Sequence, residues 1–555
     1  MLCFRLLQDD QPTSSLAEAV TSLREGRAAA PVHEVDPISF RQIPNAPFAY
    51  WVSERIRRIF TELPAFEGEG RTVRQGLATA NDFRFVRTSW ETPTHSKNAM
   101  DRIWFPFAKG GSYSPFYADV FLKVNWGGDG AECKSYIIQR YPYLNGNAEF
   151  VAKNPNFYFR PGLTWPRRTN GLSFRALPAG CVFADKGPAA FSSSDLSSEL
   201  LSLAALVNSK AFGVLVSTQL ARVELAQSFE VGLVQATPIP KNDNSRLSEL
   251  AFLACSAKRR PDTANLTSHA FIAPALVRAT GSIAEGLTAW SALINNSTAT
   301  VAAAQAEIDD IAFSLYGIGK EDRSAIETML TKGSTSDEEN GGDGEEEPDD
   351  LTTANVNGPH LVSSLLDYAV GTTLGRWDIR YATGERQPPE LPDPFDPLPV
   401  CPPGMLQGED GLPLSEAEFK QCFQRSEDVP SSQRNESVPL SNYESQPLEG
   451  ETPSLRSSSE GVTPSLRSIS SLRSRYPLRI TWDGILVDDK KHPDDIVSRV
   501  REALRVIWGE RASAIEQEAV EILQGKGRTP KDLRDYFRTP GQFFASHLAR
   551  YSKSR

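Results

Sequence analysis

Cysteine is scarce and unpaired in this sequence. The six cysteines, at positions 3, 133, 181, 255, 401 and 422, lie far apart and include no C-x-x-C pair. That spacing excludes a zinc ribbon and offers no disulfide framework, so reduced, mostly buried thiols are expected. Six histidines are equally dispersed, with no H-E-x-x-H or other metal-ligand spacing. No apolar run approaches the roughly 18 residues needed to cross a bilayer. The opening MLCFRLL runs at once into Gln8-Asp9-Asp10 and lacks the apolar core and cleavage site of a signal peptide. A cytoplasmic protein without membrane partners is the expectation. A P-loop, a G-x-S-x-G elbow and a metal-dependent nuclease motif are missing too, which leaves no catalytic or metal-binding constellation.

With 555 residues the chain is too long for one hydrophobic core, and two to four folding units are expected. Its net charge of -11 and pI near 5.3 look wrong for a nucleic-acid binder, because phosphate contacts need a positive surface. The average misleads. The stretch TSDEENGGDGEEEPDD at 335–350 carries many acids and no base, whereas residues 41–175 hold 19 Lys and Arg against 11 Asp and Glu, a local excess of eight positive charges.

The pattern along the chain predicts an α+β fold. After an N-terminal extension (1–39), residues 40–190 are rich in aromatics, glycine and proline. Short apolar runs such as Ser135-Tyr136-Ile137-Ile138 and Gly180-Cys181-Val182-Phe183-Ala184 read there as strands of a β-rich domain. One helix enters it: Phe48, Trp51, Val52, Ile56, Ile59, Phe60 and Leu63 follow a 3.6-residue stripe, with Glu54, Arg57 and Arg58 on the opposite face. From the Ser192-Ser193-Ser194-Asp195 cap signal onward, Ala, Leu and Val dominate. Residues 191–332 are therefore expected to be a helical spacer, with helices near 199–207, 211–223, 244–258, 269–293 and 298–316. The acidic block, 333–352, is expected to be a disordered linker. Residues 353–404 combine a helix with the Pro-rich stretch from Gln387 to Gly404. Residues 405–475 are assigned to a Ser-rich disordered insert carrying an imperfect Thr-Pro-Ser-Leu-Arg-Ser duplication at 452 and 463. Residues 476–555 read as a small α/β unit, with a strand near Leu478 to Val487 and a helix from Ile496 to Trp508.

Two segments imitate adenine-methyltransferase motifs. Pro64-Ala65-Phe66-Glu67-Gly68-Glu69-Gly70 resembles the glycine turn that admits S-adenosylmethionine, and Asn154-Pro155-Asn156-Phe157 resembles an N-P-P-F loop. The first follows an amphipathic helix instead of a buried strand, and the second lacks its second proline, so neither is assigned a catalytic or cofactor role. What remains is a basic segment, Arg160-Pro161-Gly162-Leu163-Thr164-Trp165-Pro166-Arg167-Arg168-Thr169, whose cations and aromatic ring suit phosphate contact and base-edge readout. The same composition also suits a solvated loop with Trp165 anchoring a core. Lys186 likewise reads either as a contact or as a tight-turn residue.

Three stretches together carry a family resemblance. Leu203 to Lys210 (LAALVNSK), with Phe229-Glu230-Val231-Gly232 and Thr237-Pro238-Ile239-Pro240, resembles the signature of target-recognition domains in type IIG enzymes. Ile308-Asp309-Asp310-Ile311 with Leu315-Tyr316-Gly317-Ile318 resembles the helix end that follows such domains. Trp377 to Gly384, Tyr476 to Ile480 and Tyr551 to Arg555 resemble the C-terminal region of BREX/DISARM-type adenine-N6 DNA methyltransferases of phage-defence systems. The resemblance implies a module that reads double-stranded DNA for a methyltransferase whose catalytic part lies before residue 1 and whose pattern continues past Arg555. The intact enzyme would use S-adenosylmethionine, while this chain would hold no cofactor; a separate catalytic chain and other defence proteins are the implied partners. Arg160, Trp165, Arg167, Arg168, Arg175 and Lys186 are the expected DNA contacts. The alternatives are a degenerate methyltransferase built on the two look-alike segments and a protein-interaction subunit of a defence complex.

Overall fold

The computed structural model describes all residues except 5, 7–10, 28–31, 94–101, 221–227, 243, 280, 335–356, 424–475, 525–529 and 553–555. The acidic block from 335 and the Thr-Pro-Ser-Leu-Arg-Ser repeats therefore lie outside the described residues. The described chain mixes helices with short strands.

Strands β1 (Leu2–Phe4) and β2 (Val32–Glu34) pair antiparallel near the start of the chain, and two four-stranded sheets build the region from 71 to 192. One has the order β3 (Arg71–Arg74), β10 (Ala189–Ser192), β7 (Gly162–Thr164), β8 (Arg175–Leu177), all antiparallel. The other runs β4 (Val86–Thr88), β6 (Leu122–Asn125), β5 (Trp104–Ala108), β9 (Val182–Phe183), with β5 and β9 parallel. The first sheet is a partition. Successive side chains of a strand face opposite sides, so Ala190 of β10 joins a core shared with the helices, while Ala189 and Phe191 join the core under the second sheet. Ala176 and Leu177 of β8 divide the same way. Burial on both faces explains why β10 reads as an unbroken apolar run. Close backbone approach explains two of the glycines: a Cβ on Gly76 would sit 2.0 Å from the Phe183 carbonyl oxygen, and one on Gly162 would sit 2.6 Å from that of Ala190.

Against β7 and β10 of the partition packs the helix Ser197–Val207, and Lys210–Gln219 and Ser245–Arg259 join it in the same core. Their ends follow from side-chain chemistry: the hydroxyl of Ser209 accepts from Phe212 N at 3.2 Å and the amide oxygen of Asn244 accepts from Arg246 N at 2.9 Å. A 33-residue helix, Ile283–Leu315, capped by Ser282, then spans two cores. Its Ala304, Ile308, Ala312 and Phe313 pack with the partition sheet's core, whereas Ile283 and Trp290 pack with a second, C-terminal core. That second core is built by the helices Gly358–Thr373, Ile496–Trp508, Ala512–Leu523 and Leu533–Arg538.

Several expectations change. The helices of the region 191–332 share one hydrophobic core with the β-rich region. Ser135–Ile138 lies in the helix Gly127–Arg140, because Cys133 and Ile137, four apart, point into the core together. The N-terminal stripe yields a shorter helix, Glu54–Glu62, started by Ser53; Phe48 stays outside it and 55% exposed. Arg57 is buried, donating to the Val52 carbonyl at 2.5 Å, and does not lie on an outer face. Within 269–293, residues 269–279, 281 and 282 are not α-helical, and Ala275–Arg278 form a 3-10 turn. The C-terminal unit forms no strand at 478–487 and is helical. The Pro-rich segment is bound to the fold: Phe395 enters the first core and its carbonyl accepts from Ala179 N at 2.9 Å. Glu416–Phe423 is a helix that buries Phe419 against Tyr476, so the residues assigned to the insert from 405 are folded as far as 423. Among the described residues no single helix is long and apolar enough to cross a membrane.

Candidate nucleic-acid interface

The basic segment divides by exposure. Arg160 is held inward: it donates to Asp195 at 3.1 and 2.6 Å and to the Ser192 carbonyl at 2.8 Å, and its guanidinium lies over the rings of Phe157 and Phe191. Trp165 is fully buried, its ring 4.9 Å from that of Phe174 and its Nε1 donating to the Phe229 carbonyl at 2.9 Å. Its ring reaches no solvent here, as in the alternative reading of the segment in which Trp165 anchors a core. Arg167 is half-buried beside Glu230, at 3.7 Å. Arg168 is exposed, and its backbone bridges to Ser228.

Arg175 is also drawn inward. It is 5% exposed and donates to the Gly110 carbonyl and, at 3.3 Å, to that of Ser112. Its charge therefore fixes the loop 109–114 from below instead of meeting phosphate. Gly110 and Gly111 both have positive φ, 104° and 115°, a conformation that favours glycine. Ser173 Oγ accepts from Ser114 N at 3.1 Å, and Lys258 Nζ donates to Ser114 Oγ at 2.7 Å. Burial, together with the neighbouring Arg175, pulls the Lys258 ammonium down to about 8. Lys186 is exposed, while its carbonyl accepts from Arg167 N at 2.9 Å and lies 2.8 Å from where a Cβ on Gly110 would be. Three loops, 109–114, 166–171 and 185–188, thus meet at one edge. Of the six expected contacts, Arg168 and Lys186 are exposed there. Sequence reading missed Gly110, Gly111, Tyr113 and Lys258; the adjacent glycines were the signal available.

The stretches that carry the family resemblance form joints beneath this edge. Asn208 Nδ2 donates to the Phe174 carbonyl at 2.8 Å while its Oδ1 accepts from Phe174 N at 2.8 Å, a two-point clamp on the loop 166–174. Buried Asp309 accepts from Lys210 N at 2.8 Å and Gln305 Nε2 donates to the Asn208 carbonyl at 3.1 Å, so the two helical stretches are tied together. Burial raises the Asp309 carboxyl, with the Lys210 amide and ammonium opposing. Tyr316 donates to the Pro238 carbonyl at 3.0 Å. Farther on, Asp378 takes Arg380 at 2.9 and 2.7 Å and Arg386 at 2.9 Å, Ile379 N donates to Tyr476 Oη at 3.2 Å, and Trp90 Nε1 donates to the Tyr551 carbonyl at 3.1 Å. Asn208→Ala strands both polar groups of Phe174, and about 1–3 kcal/mol of stability should be lost in urea unfolding; an unchanged midpoint would show the clamp to be dispensable.

No family model matches the chain. Two curated proteins are distantly similar to it. "Adenine-specific methyltransferase PglX" of Lacticaseibacillus casei (strain Zhang) is 24% identical over 364 residues, 63% of this chain and 28% of the relative. "Adenine-specific methyltransferase BrxX" of Escherichia coli O9:H4 (strain HS) is 25% identical over 347 residues, 61% of this chain and 26% of the relative. The distant homologues are adenine-specific methyltransferases by name. The chain spans about a quarter of their length.

Neither look-alike segment has the form of a cofactor turn. Pro64 to Gly70 leads into β3, whereas a nucleotide-binding glycine turn leaves a strand and opens a helix. Its Glu67 is occupied by Thr72 at 2.8 Å, Val73 N at 2.9 Å and Arg74 at 2.9 Å. Asn154 donates to the Gln75 carbonyl at 2.8 Å, and Phe157 packs on Phe191 under Arg74. The residues present thus do not fit S-adenosylmethionine at either segment. A shallow cleft of about 260 Å³ lies beside the three-loop edge, lined in part by Thr79, Asn81, Asp82, Lys109 and Lys186. Its Asp82 is taken by Thr79 and by Lys109, at 2.5 and 2.6 Å. Among the described residues no group of three His, Cys, Asp or Glu side chains is placed to hold a metal.

Proposed function

We propose that this chain is the DNA target-recognition part of a site-specific adenine-N6 DNA methyltransferase in a BREX-like phage-defence system, acting in the cytoplasm. Methyl transfer from S-adenosylmethionine would belong to a catalytic part outside residues 1–555, working with other defence proteins. The observation that carries the reading is the three-loop edge, where exposed Arg168 and Lys186 sit on loops locked from below by Asn208, Trp165 and Arg175. The distant relatives supply the context of adenine methylation. Arg168 would grip phosphate or guanine with its planar donors, and Lys186 would add a point charge.

A gel-shift series on duplex DNA at increasing salt tests this. Binding should weaken steeply with salt, and the double variant R168A/K186A should lower the logarithmic salt slope by about two, roughly one for each phosphate no longer neutralised. Duplex binding that is absent, or indifferent to salt, would overturn the reading. Titration calorimetry with S-adenosylmethionine should give no heat of binding; saturable binding by this chain would instead support the degenerate-enzyme alternative.

A further inference from the structure

Tyr113 stands at the same edge, with a side chain that the fold holds in place without burying. It is 56% exposed, yet both its neighbours are tied down. The Ser112 carbonyl accepts from Arg175. Ser114 donates through its amide to Ser173 Oγ and through its hydroxyl to the Tyr117 carbonyl, at 2.7 Å, and accepts from Lys258. The ring lies against the backbone of Gly171, where a Cβ would come 2.9 Å from Tyr113 Cε2. Gly171 belongs to the loop that carries Arg168 and the exposed Asn170.

The arrangement is expensive for a loop with no task. Two positive-φ glycines lose much backbone freedom on ordering, and a buried guanidinium satisfied by carbonyls carries a large desolvation cost. Their combined effect is to hold a half-exposed aromatic ring against the loop that carries Arg168, with burial and Asp309 acting on its hydroxyl. A ring already fixed loses little entropy on binding, and in a duplex groove it makes apolar contact with base edges such as the thymine methyl. Flanking cations favour a polyanion as the surface it meets.

Resting on the DNA-reading proposal, we infer that Tyr113 contacts a base of the bound duplex and helps set sequence preference, and that Arg175 is a positioning residue for its loop. Neutral Tyr113 releases no counterion, so its signature differs from that of Arg168 and Lys186.

The test uses the 555-residue chain and a duplex recovered by selection from a randomised pool, with a scrambled duplex as competitor. Y113A should lose about tenfold of the preference between the two, at an unchanged salt slope, whereas Y113F, which keeps the ring, should retain most of it. R175K should reduce preference as Y113A does; should it fail to fold, the milder S173A, which removes one tether of Ser114, should reduce preference without touching any exposed side chain. Full preference in Y113A, beside weakened binding by R168A/K186A, would overturn the inference and leave the DNA reading standing. Failure of the unaltered chain to bind any duplex would overturn both.

Discussion

Replacing Trp165 by alanine should cost about 3–5 kcal/mol of stability, the usual range for deleting a large buried aromatic side chain and leaving its cavity. The ring is fully buried in the core shared by the partition sheet and the helices, at the position that follows β7. The loss also strands the Phe229 carbonyl, which Nε1 satisfies, and so loosens the joint between the basic segment and the Phe229 stretch. Urea unfolding followed by far-ultraviolet dichroism measures the loss. W165F should recover much of it by refilling the volume, and a W165F protein that folds should bind duplex DNA within about threefold of the unaltered chain. A folded W165F with a tenfold loss of duplex affinity would return the ring to the DNA surface and refute its core role.

An effect of similar size is expected at Asp495. Its carboxylate is fully buried and does two things at once. It starts the helix Ile496–Trp508, accepting from Ser498 N at 3.0 Å and Ser498 Oγ at 2.7 Å, and it takes both Nη atoms of Arg534 at 2.8 Å. D495N would leave the guanidinium facing a neutral amide, and breaking a buried pair from one side typically costs about 3–5 kcal/mol. Asp488, which also contacts Arg534, should soften the loss. The pair D495A/R534M should therefore be more stable than D495A by itself.

The same site predicts an acid limb to the stability curve. Arg534 first, and then the Ser498 hydroxyl and amide, hold the Asp495 carboxyl down to about 2 against the opposing effect of burial, compared with an ordinary 3.8. Because the unfolded chain takes up the proton at the higher pH, this stabilisation is complete above about pH 5 and is lost as pH falls through 3.8 towards 2. Urea midpoints at pH 6 and pH 3 should differ less in D495N than in the unaltered chain. An equal difference would assign the acid limb to other carboxylates.

What could be read from the sequence was what local chemistry decides. The helix Ile496–Trp508 emerged with the expected ends, because its stripe is regular and Asp495 caps it from the adjoining position. The helix Ser245–Arg259 was legible for the same reason. Ser135–Ile138 was misread because aromatic and β-branched residues favour strands, whereas the tertiary contacts of Cys133 and Ile137 favour a helix. At the site, Arg168 and Arg175 look alike in sequence. Only the path of a loop some sixty residues earlier decides that one meets solvent and the other meets the Gly110 and Ser112 carbonyls. Hydrophobic pattern reports which face is buried, but it says little about which cations are consumed internally.

The helix Ile283–Leu315 also acts as a ruler of angle. At 1.5 Å and 100° per residue, its 33 residues set about 50 Å of length and a fixed phase between the two cores it enters. Inserting one residue near its middle would turn the C-terminal core by about a quarter-turn relative to the partition sheet. That rotation would pull Trp90 away from the Tyr551 carbonyl, which bridges the two halves independently of the helix. Seven residues make nearly two whole turns, and eleven just over three. Such insertions nearly restore the phase but, at 1.5 Å per residue, still move the two cores about 10 or 17 Å apart, so both the length and the register of one helix constrain how the three-loop edge is presented relative to the C-terminal core.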